Sequence, residues 1–308
     1  MKPHVLISGG TGLVGSHLAQ MLVSMNYKVS FLTRQYRSLT GIEVIRWDPA
    51  NQWLDNIDIK GPIAIINLAG ENLSAKSWTP EQKEIILSSR VNSLTLIKRI
   101  TEEKREQIVR VISTSAIGYY GTFNSDQIFR EEDEPGSDFL ANTCVAWENA
   151  IKDIAKTGVS TAWLRTGVVL SDKGGAMKAI KDSMRTGLTM HLGSGKQWVP
   201  WIHIRDLIKA FEFLLKSTEL EGPYNAVAPA ENNNSDLTKA IAKTKNKKVL
   251  PIGVPGFFLK MILGEMSCIS LYGSRVSPKK IIEAGFNFHY SDLNDALKSF
   301  QISAQENK

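Results

Sequence analysis

Three glycines at intervals of three, Gly9, Gly12 and Gly15, stand in the stretch VLISGGTGLVGSHLAQML (residues 5–22), where a short apolar run gives way to one of helical period. Backbone without side chains can turn sharply, approach an anionic group and let a helix pack closely on a strand, so this spacing suits a phosphate cradle. Unpaired N–H groups at the start of a helix, with the positive end of its dipole, supply the attraction. Gly9, Thr11, Gly12, Leu13, Val14 and Gly15 are therefore the first candidate ligand-binding residues, on G-x-x-G-x-x-G rather than G-x-G-x-x-G spacing. A second cue lies about twenty positions on, where FLTR ends in Thr33 and Arg34 with Arg37 close behind. Sites that select NAD carry an acidic residue there for the ribose hydroxyls. A carboxylate would repel a 2′-phosphate, whereas a guanidinium grips it with paired charge-assisted hydrogen bonds. The arrangement predicts NADP(H) in preference to NAD(H), with a plain surface cation as the alternative for Arg34.

The elements that must position these residues show in the rhythm of the chain. HVLISG, KVSFLTR, IAIINLAG, VRVISTSAIG and STAWLRTGVVL are nearly continuously apolar, as parallel strands covered on both faces are. PEQKEIILSSRVNSLTLIKRITEEK and NTCVAWENAIKDIAKTG carry apolar residues three and four apart. This order predicts an α/β fold, a Rossmann-type doubly wound parallel sheet over residues 1–170. Beyond it the rhythm breaks down, and residues 171–308 read as a smaller, partly helical region over the substrate, with some segments returning to the core. VPGFFLKMIL (254–263) opens with proline, contains Lys260 and reads as a buried or lid helix rather than a membrane contact.

Composition narrows the function classes. The chain has 308 residues, a formal net charge of +6 and only two cysteines, Cys144 and Cys268, without metal-ligand spacing. It shows no cleavable leader and no run of eighteen apolar residues, so the expectation is a soluble cytoplasmic protein in a reducing compartment. KTKNKK (243–248), the densest basic run, lacks interleaved aromatics and reads as a solvated helix end rather than a nucleic-acid site. His4, His17, His191, His203 and His289 form no i, i+4 pair, which argues against a metal site. EEDEP (131–135) reads as a solvated loop. The partner class left is a small-molecule substrate, with neither nucleic acid nor membrane.

Taken together, GGTGLVG (9–15), NLAGEN (67–72), SSRVNSL (88–94), STSAIGYYG (113–121), DFLANTCVAWE (138–148), LRTGVVL (164–170), GSGKQWVPWIHIRD (193–206) and GSRVSPKKIIEAGF (273–286) resemble the extended short-chain dehydrogenase/reductase superfamily. More closely they resemble its atypical branch of epimerase family proteins, nucleoside-diphosphate-sugar epimerase-like, over almost the whole chain. The resemblance implies that NLAG ends the fourth strand, with Leu68, Ala69 and Gly70 on the adenosine side of the cofactor. STSAIGYYG then ends the fifth strand, with Ser113 near the cofactor and Ser115 in the place of the catalytic Ser/Thr. LRTG ends the sixth, with Arg165, Thr166 and Gly167 near the nicotinamide. His203 and Asp206 anchor the C-terminal part, Arg275 contacts substrate phosphates, and Trp201 stacks on substrate or packs in the core.

The superfamily's tyrosine and lysine, four residues apart, exchange a proton with the substrate alcohol. Here their positions fall on Leu140 and Cys144. Leucine carries no proton and a neutral thiol supplies no cation; Cys144 is left facing the nicotinamide ribose, and the proton carrier stays open among Tyr119, Tyr120, the substrate itself and ordered water. Two functions follow: an NADP(H)-dependent oxidoreductase or epimerase on a small polar or nucleotide-sugar substrate, and a non-catalytic NADP(H)-binding sensor. Pairing of two copies through the helices near 80–104 and 138–157 is a further implication of the resemblance.

Overall fold

The computed structural model describes residues 2–34, 42–174, 177, 189–250 and 252–306. Arg37 lies outside them. Its strands are β1 (His4–Ser8), β2 (Val29–Thr33), β3 (Glu43–Asp48), β4 (Trp53–Leu54), β5 (Ile63–Asn67), β6 (Ile108–Ala116), β7 (Ser125–Phe129), β8 (Thr161–Thr166), β9 (Val168–Leu170), β10 (Trp201–His203), β11 (Gly222–Ala226) and β12 (Ser274–Val276). Eight of them form one sheet in the order β11-β8-β6-β5-β1-β2-β3-β4. β1 pairs in parallel with both β2 and β5, β2 with β3, and β5 with β6, while β4 is antiparallel to β3. This is the Rossmann-type doubly wound sheet, and the strand order reverses at β1, where such sheets bind their ligands. Val5, Leu6, Ile7, Ile63, Ala64, Ile65 and Ile66 are all fully buried, which is why these strands lack polar alternation. The short strands β4 and β7 shift the strand count: with β4, NLAG ends the fifth strand in chain order and STSA the sixth, and with β7 as well LRT ends the eighth.

Two compact units share the chain by turns: residues 1–119, 142–165 and 208–224 form the first, residues 120–141, 166–207 and 225–308 the second. In the first, α1 (Leu13–Ser24), α2 (Pro80–Glu103) and most of α3 (Phe139–Ala155) cover the sheet. Pro80 at the start of α2 and the Thr79 hydroxyl, which accepts from the Gln82 N–H at 3.2 Å, fix where that helix begins. Arg110 on β6 is fully buried and spends its guanidinium on main-chain carbonyls, those of Leu214 at 3.1 Å, Thr218 at 3.2 Å and Leu220 at 2.6 Å, beyond which β11 begins.

The second unit holds two small parallel ladders, β9 with β10 and β7 with β12, and the helices of the C-terminal region. Asp206 accepts the main-chain N–H groups of His289 at 3.0 Å and Tyr290 at 2.9 Å. The His203 ring lies 3.8 Å from the Tyr290 ring and 4.5 Å from that of Phe300, centroid to centroid. Burial, with Arg205 and His289 nearby, pushes the His203 imidazole down to about 3. Unfolded histidine titrates near 6.5, so between pH 6.5 and 3 the unfolded chain holds the extra proton and stability falls as pH falls. A urea series over this range should show a loss approaching about 1.4 kcal/mol per pH unit from this residue. His203→Phe should flatten that slope; an unchanged slope would show that the ring charges in the folded state.

Two expectations are corrected here. In the run 131–135, Glu131 is buried, not solvated, and its carboxylate accepts from the Asn225 N–H at 2.7 Å. The helix Gly256–Leu263 buries none of its residues, with Phe257 64% and Met261 70% exposed, which removes the buried alternative of the two given for it, buried or lid. Mean apolarity without polar spacing cannot tell a buried helix from an uncovered one. No helix among the described residues is long and apolar enough to cross a membrane.

Candidate functional site

Gly9 turns the chain out of β1 with φ of +67°, and the N–H of Gly12 closes the turn onto the Gly9 carbonyl at 3.0 Å. A Cβ on Gly9 would lie 2.6 Å from the Leu68 carbonyl oxygen, and one on Gly15 would lie 2.4 Å from the Gly9 oxygen. These two glycines serve close packing. Gly12 differs: its Cβ would meet only the Gly9 oxygen, at 3.2 Å. It is the N-cap of α1 and offers the helix no side-chain acceptor, and the first turn holds no acidic residue. No side chain among the described residues caps the leading N–H groups, the setting in which a helix start can take an anion.

This loop lines a cavity of about 590 Å³ within the first unit, together with Thr33, Arg34, Leu68, Ala69 and Gly70. Its far wall is made by Trp47–Ala50 at the end of β3, and by Ile85, Ser88, Ser89 and Asn92 of α2. Sequence reasoning missed that wall. GIEVIRWDPAN was readable as a strand followed by a turn, but α2 showed only an amphipathic repeat. Asp48 brings a carboxylate into the cavity beside Arg34. Its oxygens are taken by the Asn51 side chain at 2.8 Å and by the Ala50 and Asn51 N–H groups, bonds that, with Arg34 nearby, hold its carboxyl below the usual range.

The loop after β5 is held by a chain of side chains across the strand ends. Ser8 donates to Asn67 Oδ1 at 2.5 Å, Asn67 donates to Ser113 Oγ at 3.2 Å, and the Leu68 N–H reaches Ser8 Oγ at 3.2 Å. Ser113 is fully buried in this chain and does not line the cavity. Glu71 is clamped from α2 on both sides: its N–H reaches Ser89 Oγ at 2.9 Å, and Arg90 donates to its carbonyl at 3.1 Å.

A second polar cluster stands at the end of β6. Glu148 on α3 accepts Arg165 Nε and Nη2, each at 2.8 Å, and Ser115 Oγ also at 2.8 Å. The Arg165 guanidinium lies 3.5 Å from the centre of the Tyr119 ring. The Glu148 and Arg165 side chains are 1% and 3% exposed, so this is a fully buried ion pair. Ser115 therefore aims its proton at Glu148 and presents lone pairs elsewhere, the reverse of an oxyanion donor. Glu148 lies one helical turn beyond Cys144, a step that reading only the Leu140 and Cys144 positions left untaken. Burial and the charge of Glu148 push the Cys144 thiol up to about 12, so it is neutral, and it sits 3.7 Å from the Ala116 carbonyl.

The remaining candidates belong to the second unit. Tyr120 is 1% exposed and donates to Asn225 Oδ1 at 2.7 Å; Trp201 is fully buried with its indole N–H on Asn232 Oδ1 at 2.8 Å. Both are occupied by packing, which corrects Tyr120 as a proton carrier and Trp201 as a substrate platform. Gly167 is locked by the Pro200 oxygen, 2.6 Å from any Cβ it might carry, and follows Thr166 at the end of β8. Arg275 pairs with Glu231 at 2.5 Å and lies 5.4 Å over the Trp198 ring.

Known proteins resemble this chain in sequence and fold. The sequence profile of the NAD dependent epimerase/dehydratase family matches residues 5–250, and that of a domain of unknown function, DUF1731, matches residues 254–300. Epimerase family protein YfhF of Bacillus subtilis is 33% identical over 302 residues, covering 96% of either chain. Among solved structures, human epimerase family protein SDR39U1 (isoform 2) with NADPH is similar at a TM-score of 0.85 and 27% identity, over 96% of this chain and 98% of that one. A nucleoside-diphosphate sugar epimerase from Corynebacterium glutamicum gives a TM-score of 0.77 at 30% identity, over 96% of this chain and 57% of that one.

Proposed function

The chain belongs to the NAD dependent epimerase/dehydratase family, and from that premise we propose that it is a cytoplasmic NADP(H)-dependent oxidoreductase or epimerase acting on a small polar or nucleotide-sugar substrate. One observation carries the reading: an uncapped helix start and an arginine line the same cavity, at the point where the strand order reverses. The dinucleotide, when bound, supplies hydride exchange at its nicotinamide ring. The turn Gly9–Gly12 and the first N–H groups of α1, at Leu13, Val14 and Gly15, hold the diphosphate. Arg34 takes the 2′-phosphate, and Leu68, Ala69 and Gly70 bound the adenosine. Ser115, its proton committed to Glu148, accepts a hydrogen bond from a substrate hydroxyl, and Tyr119 is the remaining candidate for carrying the proton.

Arg34→Ala should weaken NADPH by roughly 10- to 100-fold, the range of one or two charge-assisted hydrogen bonds, and NADH by less than about threefold. Calorimetric titration with both cofactors decides it, and equal losses would remove Arg34 from that role. The second reading, a sensor that binds NADP(H) without turnover, is favoured by the buried, neutral Cys144 and the buried Leu140 where a proton relay would be needed. NADPH oxidation across a panel of carbonyl substrates separates the two. Turnover of any of them supports the enzyme, and cofactor binding without turnover of any supports the sensor.

A further inference from the structure

Arg90 is a buried cation that makes no direct ion pair among the described residues, although the charge of Glu71 favours it at longer range. It is 8% exposed. Two of its five N–H donors are spent on main-chain carbonyls, that of Ile86 at 2.8 Å and that of Glu71 at 3.1 Å. Its guanidinium carbon lies 5.0 Å from the Trp147 ring and directly behind Gly70, whose Cβ, if it had one, would be 3.3 Å away. Gly70, Glu71 and Ser89 line the cavity. A charge kept out of water beside a ligand cavity is costly unless something there uses it.

Its place along the sheet shows what that would be. Arg34 follows β2, the glycine turn follows β1, Gly70 follows β5, and Ala116 ends β6. A dinucleotide with its 2′-phosphate on Arg34 and its diphosphate on the glycine turn has its other half on the β5 and β6 side. Arg90 stands on that side. Its charge counters part of the upward push that burial and Glu148 give the Cys144 thiol, and Cys144 bonds to Ala116.

Resting on the cofactor site proposed above, we infer that Arg90, delivered from α2, is the cation that hydrogen-bonds the nicotinamide-side ribose of the bound dinucleotide, while its grip on the Glu71 carbonyl sets the cavity wall. The pair of functions is separable because a ligand can carry the adenosine half alone. Full-length protein and variants are titrated calorimetrically with NADPH and with 2′,5′-ADP, which has the 2′-phosphate and a 5′-phosphate but no nicotinamide ribose. Arg90→Met should lose at least 10-fold in NADPH affinity and stay within about twofold for 2′,5′-ADP. Arg90→Lys should recover most of the NADPH affinity. Arg90→Gln keeps a donor for Glu71 without the charge, serves if the methionine variant does not fold, and should show the same selective loss. Equal losses for both ligands would reduce Arg90 to a clamp on the loop, and no loss for either would remove it from binding; both overturn the inference. Failure of the wild-type protein to bind either ligand would instead overturn the cofactor site, and this inference with it.

Discussion

Gly12→Val is expected to cost NADPH at least roughly 100-fold in affinity, about 2.7 kcal/mol, while leaving the fold intact. The backbone at Gly12 has φ of −76°, which any residue adopts, and among the described residues beyond its chain neighbours a Cβ there meets only the Gly9 oxygen within 4 Å. The branched carbons of valine therefore project into the space beside the helix start, where a diphosphate must approach the N–H groups. A neighbouring substitution supplies the contrast. Gly15→Val would place its Cβ 2.4 Å from the Gly9 oxygen and 2.7 Å from Gly10 Cα, so it should fail by misfolding instead. Calorimetry paired with a thermal melt separates the two outcomes. Undiminished NADPH affinity in a folded Gly12→Val protein would show that the diphosphate lies elsewhere.

Glu148→Ala should cost about 3–5 kcal/mol in denaturant unfolding. The loss arises because Arg165 stays charged, and its side chain is 3% exposed with Glu148 as its bidentate partner. Ser115 loses its acceptor at the same stroke. Replacing both Glu148 and Arg165 with methionine should recover much of the stability, since the desolvation of two charges disappears along with their attraction. A single-variant cost below 1 kcal/mol would mean that water reaches the pair.

The part of this molecule legible in its sequence is the part whose cause is local. A glycine turn between a strand and a helix, and an arginine at the next strand end, announce themselves because each depends on a few adjacent residues. The continuously apolar strands were equally readable, since burial on both faces leaves a direct trace. Residues serving through tertiary placement were not. Ser88, Ser89 and Asn92 look like the polar face of any amphipathic helix until the sheet sets that face against the cavity. Tyr120 and Trp201, aromatic and close to motifs, invited a role in chemistry, and only the packing shows them enclosed. Glu148 needed one further helical turn beyond Cys144 and a view of Arg165 from another strand.

The guanidinium of Arg110 ties β6, in the middle of the first unit, to carbonyls more than a hundred residues later in the chain. A ribosome delivers these partners far apart in time. Until residues 214–220 have emerged the Arg110 charge lacks these carbonyls, and until residue 226 has emerged β8 is a raw outer strand with its ladder groups unpaired on the side that β11 will take. The nascent chain must therefore pass through a stage in which its main sheet is nearly whole yet open along one side, and holdase chaperones act on that kind of unfinished edge.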